Sequence, residues 1–302
     1  MGGGLLASGL LMSYPAALHV TARPAVDPVA TVVFVHGSLD RGDSFRRVMR
    51  RLPDVTAVSY DRRGYQGSRG GGVVGLGGHI EDLLAVIEEA RTGAGPAAGS
   101  SAGRGRPVVA IGHSLGGDVV MGAALAEPAL FDAIAAFEPP MPWLGFRRDV
   151  GAGSGADGGA DGGAGGVAAA AAARPWPVVA EDPGVEVERF FSRMVGASAW
   201  AHLTEAGRES RRADGPALVA DLRSFRSEVP PFDVTALEVP AVFGMGGPSS
   251  RPHHRRTVEW LGANVPNAVV YEIEGAQHGA HLSHPDHFAS MTRLVIERAA
   301  SG

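Results

Sequence analysis

Gly112-His113-Ser114-Leu115-Gly116 stands between the apolar run Pro107 to Ile111 and the Ala-, Val- and Leu-rich run Gly117 to Ala126. The first run is short and β-branched and reads as a buried strand, and the second reads as a helix. The two glycines flank Ser114 at spacing G-x-S-x-G, where a side chain would collide with the turn from strand to helix. Such a turn lifts one hydroxyl above the sheet at a helix N-terminus. The unpaired N–H groups and partial positive charge there suit an oxyanion. The competing reading is a Gly-rich turn with an incidental serine. The upstream His36-Gly37 and the late Gly275-x-x-His278 weigh against it.

Outward from this centre the chain alternates. Thr31 to Val35 reads as a buried strand that ends in His36-Gly37-Ser38-Leu39-Asp40. A glycine there lets the backbone turn at the carboxyl end of the sheet, where crevices form in α/β folds. The N–H groups of Leu115 and Ser38 are the expected oxyanion donors, and His36 reads as a structural histidine pinning its loop. Asp43 is expected to cap a helix through Leu52. Val55 to Tyr60 reads as a strand, followed by Asp61 and Arg62 as a loop-stabilising ion pair. Gly70 to Gly78 reads as loop and His79 to Arg91 as helix. Ile134 to Phe137 is a further buried strand, ending at Glu138. Helical spacing then marks Pro183 to Glu228, and Ala241 to Phe243, Arg251 to Gly262, Val269 to Ile273 and Pro285 to Ala299 continue as strand, helix, strand, helix.

This order predicts an α/β protein with a mostly parallel central sheet, helices on both faces and an inserted helical cap. The expected core is 1–138 with 230–302, and the expected cap is 139–229. Two low-complexity stretches, Thr92 to Arg106 and Gly151 to Ala173, read as insertions that cannot form a core. Ala16 to Thr21 is a candidate edge strand. Met1 to Met12 reads as a disordered leader or an early start, with Met12 the alternative.

Of the 302 residues 45% are hydrophobic and 20% charged, the balance of a globular chain long enough for a full core. A net charge of −5 gives no electrostatic case for nucleic acid. With no cysteine, thiolate metal sites and a cysteine nucleophile are excluded. No apolar run has the length of a membrane span, so the cytoplasm is the expected location.

His36-Gly37, Gly112-x-Ser114-x-Gly116 and Gly275-x-x-His278, in that order, resemble the α/β-hydrolase superfamily over Val20 to Ala299. The resemblance implies a serine nucleophile, an acid and a histidine in chain order. Carried over, Ser114 is the nucleophile and His278 the general base. The family's usual place for the acid falls in Gly244 to Ser250, with Gly246 at the position itself, and no carboxylate is there. Relatives such as haloalkane dehalogenases place the acid after the strand that follows the nucleophile helix, which here is Glu138. Glu138 is therefore the expected acid, against the alternative of a structural carboxylate at the cap entrance.

His278, His281, His284 and His287 recur every third residue, but Pro285 interrupts a shared helix face and no metal is expected. His281 is the fallback base. His253 and His254, beside Arg255 and Arg256, are expected on a solvent face. Trp143, Phe190 and Met194, with Phe146, Phe191 and Trp200, are candidates to line a site for an apolar substrate part. The resulting expectation is a cofactor-free hydrolase of a small-molecule ester or related acyl bond. The alternatives are a C–C bond hydrolase, a haloperoxidase-like enzyme on the same triad, or a non-catalytic binding protein of this fold.

Overall fold

Alternation along the central strands divides the core in two. Val33, Val35, Ala110, Ala136 and Phe243 point to one face, and Val32, Phe34, Val109, Ile111, Ala135 and Val242 to the other. This period of two is what strands buried on both faces require. The computed structural model describes residues 7–11, 18–92, 105–146, 178–226 and 229–301. The expected insertion at 151–173 lies outside the described residues, as does most of the one at 92–106.

The strands are β1 (Ala7–Leu11), β2 (Leu18–Arg23), β3 (Thr31–Val35), β4 (Thr56–Tyr60), β5 (Val108–His113), β6 (Ala133–Phe137), β7 (Ala241–Gly246) and β8 (Ala268–Ile273). They form one 8-stranded sheet in the order β1-β2-β4-β3-β5-β6-β7-β8. β1 and β2 run antiparallel, and every pairing from β4 to β8 is parallel. Register brings Val35 opposite Gly112, His113 opposite Phe137 and Phe137 opposite Gly244, so the carboxyl ends of four strands open into one crevice.

Helices α2 (Leu76–Thr92), α3 (Leu115–Ala126) and α8 (Pro252–Asn264) pack on the first face, through side chains such as Leu83, Val119 and Val258. α1 (Arg46–Met49) and α10 (Pro285–Ser301) cover the second through Met49, Phe288, Met291 and Val295. The short α9 (Ala280–Ser283) precedes α10. Between β6 and β7 the chain makes α4 (Pro183–Met194), α5 (Ala197–Ala201), α6 (Glu205–Arg212) and α7 (Gly215–Phe225).

Several expectations are corrected. Residues Ala7–Leu11, read as part of a disordered leader, pair with β2. β2, expected as the edge strand, is therefore second from the edge, with backbone groups that would otherwise lie open. The helix expected from Asp43 is a 3-10 turn, Gly42–Phe45, followed by α1, and Asp43 caps neither. Asp43 pairs with Arg46 instead, while the Gly42 N–H goes to Asp61 Oδ1 at 2.9 Å. The Gly70–Gly78 loop is shorter than expected: a 3-10 turn reaches Gly71 and α2 begins at Leu76.

Asp61 and Arg62 do not pair with each other. Asp61 accepts the N–H groups of Gly42 and Gly67, at 2.9 and 3.0 Å. Arg62 turns the other way, into a bidentate pair with Asp221 of α7 at 2.8 and 3.1 Å, with both side chains fully buried. The same Asp221 carboxylate accepts the hydroxyls of Tyr65 (2.6 Å) and Ser38 (2.8 Å) and lies 3.1 Å from His79 Nε2. Burial would raise the Asp221 carboxyl, but Arg62 and His79 outweigh it and hold it far below the ordinary carboxylate range. The α4–α7 segment is thus tied to the loop after β4 through this buried charge, and Asp214 adds a second tie, to Gln66 and Arg69.

Candidate active site

The β5–α3 turn allows no side chain at its two glycines. A Cβ on Gly112 would lie 2.1 Å from the Gly116 carbonyl oxygen, and one on Gly116 would lie 2.2 Å from that of Val35. Between them Ser114 adopts φ 54°, ψ −129°, a left-handed backbone that is costly for a serine and is held by its surroundings. Its N–H donates to the Phe137 carbonyl at 2.9 Å, and its carbonyl accepts the Gly117 N–H at 2.7 Å. The Leu115 and Ser38 N–H groups make no hydrogen bond among the described residues.

Ser38 and His36 sit on the loop after β3. His36 is fully buried: Nδ1 lies 2.7 Å from the Gly37 carbonyl, and Nε2 accepts the Arg62 N–H at 2.8 Å. Nε2 must carry the lone pair, so Nδ1–H is the donor to Gly37. Burial and the Arg62 charge push this imidazole down to about 4, which keeps it neutral.

Glu138 ends β6 with φ 47° and its N–H on the Gly244 carbonyl at 2.9 Å. Its buried carboxylate accepts the Gly246 N–H (2.8 Å) and the Ser250 hydroxyl (2.5 Å) on Oε1, while Oε2 lies 2.7 Å from His278 Nδ1. Burial would raise this carboxyl, but His278, Ser250 and Gly246 together hold it below its ordinary value. Gly246 could not carry an acid of its own, because a Cβ there would lie 2.5 Å from the Ala276 carbonyl oxygen.

His278 reaches the Ser114 neighbourhood by two further contacts. Its carbonyl lies 2.8 Å from Nε2 of His113, the residue before Ser114. Its ring stacks at 4.4 Å and 15° on His254. His254 in turn lies beside His253, with ring centroids 4.1 Å apart, and both are buried rather than on a solvent face. The expectation failed because the flanking arginines at 255 and 256 masked two positions that face inward from the first turn of α8.

One pocket is lined by Ser38, Ser114, Leu115, Phe190, Met194, Arg251, His253 and His254, with Pro140, Pro142 and Phe225 completing it. Phe190 and Met194 therefore line the same pocket as the serine. Trp143 does not: it packs edge-on against Phe232 at 5.8 Å, as part of the apolar core. Phe191 and Trp200 pack on each other at 5.4 Å, outside the lining. His281 is buried against Phe45 and lies 3.3 Å from Asp40, and neither it nor His278 is among the residues lining this pocket. Two groups offer three donor atoms within 4.8 Å of one another, Asp40 with His113 and His281, and Glu138 with His254 and His278. The four regularly spaced histidines do not converge, and His284 and His287 adjoin each other instead, at 6.0 Å.

Sequence reading missed Asp221, Ser250 and the inward-facing histidines. Asp221 had a signal, as an acid on the face of α7 that carries Leu218, Leu222 and Phe225.

Residues 32–290 match the model of the alpha/beta hydrolase family, and the chain belongs to that family. Among curated proteins it is similar to lipase LipV of Mycobacterium tuberculosis, with 27% identity over 130 residues, or 43% of this chain and 44% of that protein. It is also similar to a monoacylglycerol lipase of Mycolicibacterium smegmatis, with 30% identity over 118 residues, or 38% of this chain and 40% of that one. The matches thus span well under half the length of these relatives. Among solved structures, a serine hydrolase involved in carbazole degradation superposes with a TM-score of 0.64 over 97% of this chain and 99% of its own, at 14% identity. Among the described residues, no helix is long and apolar enough to cross a membrane.

Proposed function

We propose that the chain is a serine hydrolase that cleaves an ester or related acyl bond through Ser114, His278 and Glu138. The contact of 2.7 Å between His278 Nδ1 and a buried Glu138 carboxylate is the observation that carries this reading. Glu138 accepts a hydrogen bond from Nδ1–H, which leaves the lone pair on Nε2, the tautomer a general base requires. His278 then takes the proton of the Ser114 hydroxyl as Oγ attacks the carbonyl carbon. The N–H groups of Ser38 and Leu115 receive the oxyanion, helped by the N-terminus of α3. His278 returns the proton to the leaving group, and water, deprotonated by the same imidazole, releases the acyl group from Ser114. In this reading residues 139–229 form a cap, whose Phe190 and Met194 hold the apolar part of a small-molecule substrate.

Hydrolysis of short p-nitrophenyl esters tests the proposal. Ser114→Ala is expected to lower kcat/KM by at least about 10⁴-fold, and Glu138→Gln by about the same factor. Wild-type protein that is folded yet inert, or a Ser114→Ala variant that keeps its rate, contradicts the reading.

A further inference from the structure

Arg251 immediately precedes α8 and lines the pocket that holds Ser114. Its described hydrogen bond runs from Nη2 to the Arg193 carbonyl at 2.5 Å, and no carboxylate pairs with it among the described residues. Arg62, Arg63, Arg69 and Arg293 are matched to Asp221, Asp82, Asp214 and Asp54, while the buried Arg23 is held, like Arg251, by backbone carbonyls, those of Leu52 and Val55. A cation held at an apolar wall without a counter-ion is costly unless something else supplies the negative charge.

The surroundings sharpen the imbalance. The 13-residue helix α8 has no acid in its first turn, although a helix N-terminus carries partial positive charge and favours one. Arg193, whose guanidinium lies 5.4 Å from the ring of the pocket residue Phe190, feels the Arg251 charge as well. Burial lowers the Arg193 guanidinium, Glu186 counteracts this, and Arg251 lowers it further. Glu186 is itself engaged with the Ala180 N–H at 3.0 Å. Among the described residues, the pocket wall at Arg251 therefore presents a guanidinium with no carboxylate paired to it.

We infer that Arg251 and the first turn of α8 form a carboxylate-binding subsite in the Ser114 pocket, so that the substrate is an acyl compound bearing a carboxylate. The inference rests on the hydrolase reading for the identity of the reacting bond. A guanidinium offers a planar fork that a carboxylate matches with two parallel hydrogen bonds, and the helix end adds a favourable field. The apolar residues Phe190 and Met194 then contact the chain between the carboxylate and the scissile carbonyl.

The test compares two esters of equal chain length, the p-nitrophenyl monoester of glutarate and p-nitrophenyl valerate. Wild-type protein is expected to favour the anionic ester in kcat/KM by roughly 10–100-fold, the range of a hydrogen bond to a charged group. Arg251→Gln collapses that ratio, and Arg251→Lys, which keeps the charge without the fork, restores part of it. A wild-type preference for valerate, or a ratio unchanged in a folded Arg251→Gln, overturns the subsite. If neither ester is cleaved, it is the hydrolase reading that has failed. Calorimetry with glutarate then decides the subsite alone: binding by wild type that is lost in Arg251→Gln supports it, and no binding by wild type overturns it.

Discussion

At Gly246, the end of β7, no acid fits, and the carboxylate beside His278 comes instead from Glu138 at the end of the neighbouring strand β6. The Ala276 carbonyl closes the space a Cβ would need, and the Gly246 N–H donates to Glu138. An aspartate placed there in Gly246→Asp is therefore expected to destabilise the fold, and it will not rescue Glu138→Gln when the two are combined. Ester turnover and melting temperature of the double variant check both points. His36 makes a second residue-scale prediction. Its imidazole has an ordinary value of 6.5 and is held at about 4 in the fold, so the unfolded chain binds the extra proton between these limits. Its contribution to stability is complete above pH 6.5 and is lost as the pH falls to about 4. Melting temperatures of His36→Gln should fall less steeply over that window than those of wild type. Equal slopes would show that other groups set the acid sensitivity.

Elements are joined here by charges as much as by apolar contact. α7 carries Asp221 to Arg62, Tyr65, His79 and Ser38, which ties the α4–α7 segment to the loop after β4 and to the loop that presents the Ser38 N–H. Asp221→Ala leaves the fully buried Arg62 guanidinium without its partner and is expected to cost about 3–5 kcal/mol. Urea unfolding measures that loss. Because the variant also frees the Ser38 hydroxyl, ester turnover should fall in the fraction that remains folded. At the β5–α3 junction, Gly112→Ala forces a methyl group into the Gly116 carbonyl, and the expected outcome is a displaced Ser114 with little soluble, active protein.

On the scale of the whole molecule, the parts legible in the sequence are those governed by short-range rules. Short apolar runs marked the strands from β3 to β8, and the G-x-S-x-G spacing marked the turn at Ser114, because each depends on neighbours a few residues away. Glu138 was reachable because relatives such as haloalkane dehalogenases place the acid after the strand that follows the nucleophile helix, and Glu138 ends that strand here. Contacts between distant segments were not legible. The Asp221–Arg62 pair spans 159 positions, and the His254–His278 stack depends on how α8 rolls against the sheet. Trp143 misled for the same reason: its size suggested a binding wall, while its neighbour Phe232 was invisible until the chain was folded. In the proposed mechanism Ser114 is an activated nucleophile supported by Glu138 through His278. Labelling with a fluorophosphonate probe, with the adduct located by peptide mass spectrometry, tests it most directly. A single adduct on Ser114 is expected, abolished in Ser114→Ala and formed far more slowly in Glu138→Gln. An adduct on another residue, or no adduct on folded protein that a small probe can enter, would contradict it.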